Sequence, residues 1–99
     1  MEHKQPMPIQ IELGEKESEG VYSNMAVITH SASEFVIDFA RRMPGTPKAR
    51  VYSRIVMTPP SLILFLKTLE QNVGMYQEKY GKIKVEGMED NESRDIGFK

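Results

Sequence analysis

Apolar and polar residues alternate strictly in Ile9-Gln10-Ile11-Glu12-Leu13. A period of two sends successive side chains to opposite faces, so this segment, opened by Pro8, predicts a half-buried strand. Residues 14–20, acidic and bracketed by Gly14 and Gly20, read as an exposed loop. From residue 21 to 30 the period is again two, yet both faces are partly apolar. Val21, Met25 and Val27 lie on one face, and Tyr22, Ala26 and Ile28 on the other. A sheet with one solvated face shows a clean polar side, so this strand is expected to have cover on both sides.

Residues 34–40 alternate once more, with Phe35, Ile37 and Phe39 against Val36, Asp38 and Ala40. In Met43-Pro44-Gly45-Thr46, Pro fixes φ near −65° at the second turn position and Gly accepts a positive φ at the third, the demands of a type II turn. Residues 49–57 make the next strand. Val51, Ser53, Ile55 and Met57 share one face, and Arg50, Tyr52, Arg54 and Val56 the other. Short connections make these three an antiparallel meander, which the segment at residues 9–13 could extend at an edge.

The period then changes to that of a helix. Leu62, Leu66, Leu69, Val73, Tyr76 and Tyr80 follow a 4-3-4-3-4 spacing, one continuous apolar seam. Thr58 is placed to cap the helix, Pro59 sits where its missing N–H costs nothing, and Gly81 terminates it. Ile63, Leu64 and Phe65 leave the first turns apolar nearly all round. One small sheet cannot cover a helix on every side, so self-association is expected, with Tyr22, Ile28, Leu62, Leu64, Phe65 and Val73 as the candidate interface. The expected fold is α+β: a meander of three to four antiparallel strands, then one long C-terminal helix packed on the sheet. Residues 8–86 form the single domain, residues 1–7 a loose polar arm, and residues 87–99 a charged tail expected to be disordered.

Composition narrows the chemistry. Ninety-nine residues suit one small domain, and the absence of Cys excludes a disulfide framework, a thiolate nucleophile and every Cys-containing zinc site. The longest apolar run, residues 62–66, is far too short to span a bilayer, and residues 1–12 carry charges where a signal peptide would be apolar. A cytoplasmic protein with no membrane partner is the expectation. Histidines are limited to His3 and His30, with no metal-ligand spacing between them. Glu89-Asp90-Asn91-Glu92 lacks the glycine turn and terminal bidentate Glu of a calcium loop. No Gly-rich phosphate loop occurs, so no cofactor is expected. His30 with Ser31, Ser33, Glu34 and Asp38 is the one cluster with a base, hydroxyls and carboxylates. At a strand end, such serines bond their own backbone, so no catalytic residue is assigned.

Charge is unevenly spread. Residues 1–40 hold seven acids against Lys4 and Lys16, whereas residues 41–57 hold Arg41, Arg42, Lys48, Arg50 and Arg54 and no acid. Alternation puts Arg50, Tyr52 and Arg54 on one face beside the turn cations, a pattern that suits phosphates and stacked bases. In a hairpin centred near Gly45, Asp38 would lie across from Tyr52, with Arg50 and Arg54 as its diagonal partners. The acidic segment at residues 12–19 could neutralise the remaining cations, within the chain or across a dimer. Arg41, Arg42, Lys48, Arg50, Tyr52 and Arg54 are therefore candidate contacts for nucleic acid or another partner.

The run Val21-Tyr22-Ser23-Asn24-Met25, then Thr29-His30, then Glu34-Phe35-Val36-Ile37-Asp38-Phe39, then Arg54-Ile55-Val56-Met57-Thr58-Pro59 resembles a small bacterial family, domain of unknown function 3467. Leu66 through Leu69, Asn72, Tyr76, Glu78, Lys79, Tyr80 and Gly81 fit that family's helix. Pro60-Ser61 departs from its pattern, which has a small residue plus His there. The resemblance implies a compact bacterial domain and carries no activity, cofactor or catalytic residue. Taken together, the expectation is a non-enzymatic, homo-oligomeric binding or adaptor module whose partner is a protein. The alternatives are a single-strand nucleic-acid binder using the basic hairpin, or a small chaperone-like holder of extended peptides.

Overall fold

A computed structural model describes residues 8–86; the expected arm at residues 1–7 and tail at residues 87–99 lie outside the described residues. The chain runs α1 (Glu15–Ser18), β1 (Met25–His30), β2 (Phe35–Arg42), β3 (Ala49–Met57) and α2 (Pro59–Tyr80). The strands form one antiparallel sheet in the order β1-β2-β3, an α+β arrangement with the long helix last.

Local chemistry explains the junctions. Between β1 and β2, the Ser31 N–H donates to the Glu34 carbonyl at 2.9 Å, and the Ser31 hydroxyl accepts from the N–H groups of Ser33 and Glu34 at 3.2 and 3.3 Å. The serines therefore build the turn, as their positions predict. Between β2 and β3, Gly45 takes φ +82° and the Thr46 N–H donates to the Met43 carbonyl at 3.4 Å. Thr58 is extended at the start of α2 and its Oγ1 accepts from the Ser61 N–H, and Gly81 ends the helix at φ +98°.

Three details differ from the sequence reading. Residues 8–14 are not in the sheet: Ile9, Ile11 and Leu13 are 87%, 90% and 71% exposed, so the sheet has three strands. Alternation gives a segment two faces, but a strand also needs a neighbour to bond its backbone. The acidic loop holds one helical turn, α1, in which the Ser18 hydroxyl donates to the Glu15 carbonyl at 2.7 Å. Finally, β1 starts at Met25; ahead of it, Ser23 and Asn24 are tied to β2 by side-chain bonds to the backbone of Ala40 and Arg42, together with the Asn24 N–H to the Ala40 carbonyl.

Only Ala26, Ile37 and Ala40 are buried among the described residues. Ala26 opposes Phe39 and shares a face with Ile37, while Ala40 opposes Met25 on the other face, so each side of the sheet has one covered spot. Close packing joins β1 to β2 and β2 to β3; no comparable contact joins α2 to a strand. The helix stands largely clear of the sheet instead of lying across it, and none of its 22 residues is buried.

Candidate functional site

The basic hairpin is reshaped by a bulge. Phe39 opposes Ser53 but Ala40 opposes Val51, so Tyr52 is an extra residue in β3. A bulge reverses the side-chain alternation beyond it. Arg54 consequently lies directly across from Asp38, and Arg50 across from Arg41. Because Asp38 and Arg41 are three apart on β2, Arg50 and Arg54 occupy opposite faces. The single stripe expected from alternation is divided, and Asp38 faces Arg54 in place of Tyr52.

Each half has its own chemistry. On one face, Arg54 grips Asp38 with both arms of its fork, Nε to Oδ1 at 2.6 Å and a terminal nitrogen to Oδ2 at 2.9 Å. Two parallel charge-assisted bonds are the strong form of such a pair. The hydrogen bond from Arg54 holds the Asp38 carboxyl below its ordinary value of 3.8 and raises the guanidinium in turn. The carboxylate is 13% exposed and the guanidinium side chain 66%, so Arg54 keeps an open side.

On the other face, Arg41 stands 4.2 Å from the Tyr52 ring centre and 5.8 Å from that of Tyr22, and its Nε donates to the Tyr22 carbonyl at 3.3 Å. Arg50 lies 5.4 Å from the same Tyr52 ring. Two guanidinium groups thus share one aromatic ring, which holds them by its negative face. Arg42 and Lys48 flank the exposed turn.

Sequence reasoning missed the residues that anchor this corner. The Asn24 side chain accepts from the Arg42 N–H at 2.8 Å and donates to the Arg42 carbonyl at 3.0 Å, while its own N–H donates to the Ala40 carbonyl. The Ser23 hydroxyl donates to the Ala40 carbonyl at 2.8 Å. Ser23 and Asn24 fix the Tyr22 carbonyl beside Arg41. The only hint in the sequence is their place in the Tyr22-Ser23-Asn24-Met25 run.

The second surface is α2. Leu66, Leu69, Val73, Tyr76 and Tyr80 are all exposed, and only Leu62 at the helix start is partly covered. Of the other candidate interface residues, Tyr22, Ile28, Leu64 and Phe65 are also exposed. Near the helix end, Val73, Tyr76, Tyr80 and Ile83 line a shallow open recess of about 530 Å³. The Tyr76 and Tyr80 rings pack at 4.9 Å, and Lys79 lies 5.3 Å from the Tyr80 ring.

Elsewhere, the His30 ring rests on Phe35 at 5.4 Å, and among the described residues no hydrogen bond links it to Ser31, Ser33 or Asp38. Among the described residues no three of His, Cys, Asp and Glu gather to hold a metal ion, and no helix is long and apolar enough to cross a membrane.

No curated protein and no solved structure matches the chain. A family model does, over residues 1–85, and with the α+β order and the runs described above, the chain belongs to the family described as protein of unknown function DUF3467.

Proposed function

We propose that this chain is a non-enzymatic, homo-oligomeric binding module of the bacterial cytoplasm, whose partners are proteins, beginning with a second copy of itself. The observation that carries this reading is the bare seam of α2. Its 4-3 spacing is that of helices that pair with other helices. A monomer leaves Leu66, Leu69 and Val73 about half exposed, forgoing about half of the roughly 1.5–3 kcal/mol that full burial of each would give. A two-fold contact buries the same seam twice. The basic hairpin supports nucleic acid less well, since the bulge divides its cations and Asp38 engages Arg54.

Sedimentation equilibrium at micromolar concentration tests the reading. At least twice the 11.3 kDa chain mass is the expected result, and a stable folded monomer overturns it. Titration with a labelled single-stranded oligonucleotide tests the competing reading. Tight binding that weakens steeply with salt and disappears on joint Arg50→Ala and Arg54→Ala substitution would favour nucleic acid.

A further inference from the structure

We propose that residues 9–13 of one copy form a fourth strand on the open edge of β3 in a second copy, which makes this edge a site for strand exchange. The inference rests on the self-association read above and adds to it a surface that α2 does not supply.

Three observations converge on that edge. The segment Ile9-Gln10-Ile11-Glu12-Leu13 has the alternation of a strand but no partner, and its three apolar side chains are almost wholly in water. In the sheet, β3 bonds β2 on one side only, so alternate backbone groups on its other side are unpaired among the described residues. An open edge is a template for an incoming strand. The charges also match, because the segment and the turn after it carry Glu12, Glu15, Glu17 and Glu19, while β3 and its hairpin carry the five cations.

Charge and face together fix a register. Beyond the bulge, residues 53–57 are a regular stretch of edge, five residues long like the segment itself. Laid antiparallel, Ile9 opposes Met57, Ile11 opposes Ile55 and Leu13 opposes Ser53. The apolar side of the segment then continues the face that holds Ile37 and Ile28. Glu12 falls across from Arg54, which keeps its open side after gripping Asp38. The following acids run on toward Arg50 and Lys48. A parallel register would set Glu12 against Val56 and lose the match. Within one chain the segment does not take this place: Ile9, Ile11 and Leu13 stay exposed, and β3 has only β2 as a neighbour among the described residues.

The cysteine-free sequence makes the test clean. A chain carrying Ile11→Cys is mixed with a longer, tagged chain carrying Ile55→Cys, and the mixture is oxidised. A disulfide needs Cα atoms within about 7 Å, so the expected product is a mixed covalent dimer in large excess over like pairs. Pairing Ile11→Cys with Val51→Cys, out of register, should give at least several-fold less. Gln10→Cys against Val56→Cys repeats the test at exposed positions should Ile55→Cys not fold. Adding Glu12→Lys, or raising salt, should lower the mixed yield several-fold. No preference for the mixed product at either pair, or a link formed only within one chain carrying both cysteines, overturns the exchange. Sedimentation of the unmodified chain separates the failures: a dimer without the mixed link leaves the helix reading standing, and a monomer removes both.

Discussion

The sheet and the helix of this chain are nearly equal in length and opposite in self-sufficiency. The three strands total 23 residues, and they hold every buried side chain among the described residues, the Asp38–Arg54 pair and the Arg41–Tyr52–Arg50 stack. The 22-residue helix buries nothing. The difference teaches where stability comes from. Neighbouring strands meet by closing short turns, so the meander is satisfied by residues close in sequence. A helix closes its hydrogen bonds internally and still depends on tertiary packing of its apolar face. In this chain the sheet supplies little of that packing.

Four changes break or sharpen the contrast. Joint Leu66→Glu and Leu69→Glu should cost the assembly roughly 3–6 kcal/mol, about 1.5–3 kcal/mol for each leucine no longer buried. Sedimentation should then show the monomer mass, with loss of helical circular dichroism. Ile37→Ala, at the covered centre of the sheet, should cost about 2–5 kcal/mol in urea unfolding, while whatever remains folded keeps its oligomeric mass. Gly74→Ala should stabilise by about 1 kcal/mol, because a Cβ there meets nothing within 4 Å in the chain. A loss of stability would instead place a partner's backbone against that turn.

The smallest effect is set by pH. Arg54 lowers the folded-state value of the Asp38 carboxyl, so the pair contributes stability above the ordinary value of 3.8, and that contribution is lost as pH falls through the lowered value. Asp38→Asn should flatten this acid-side loss in an unfolding series and change little at neutral pH beyond a uniform offset.

Periodicity carried most of the fold. Period-two runs gave the three strands, Pro44-Gly45 the turn, and Thr58-Pro59 and Gly81 the helix ends, because each depends on residues close in the chain. The register beyond Tyr52 was not legible. A bulge is one uncompensated residue between strands, and nothing in Arg50-Val51-Tyr52-Ser53-Arg54 marks it. The candidate site suffered most from this, since one extra residue moved Arg50 off the face of Arg54. Asn24 was missed for a similar reason: its side chain imitates a ladder bond to Arg42, eighteen residues away. The segment at residues 9–13 was legible as a strand but not as one lacking a neighbour in its own chain.

A core of three buried side chains among the described residues also changes what the word stability measures. If a second copy completes the core, as proposed above, the chain has no fixed folding free energy of its own. Its resistance to unfolding follows mass action and shifts by about 1.4 kcal/mol for every tenfold change in protomer concentration in a two-chain equilibrium. Gene dosage then acts like a chemical stabiliser. Under the proposed assembly, a cell that halves its synthesis of this chain would also weaken each surviving copy.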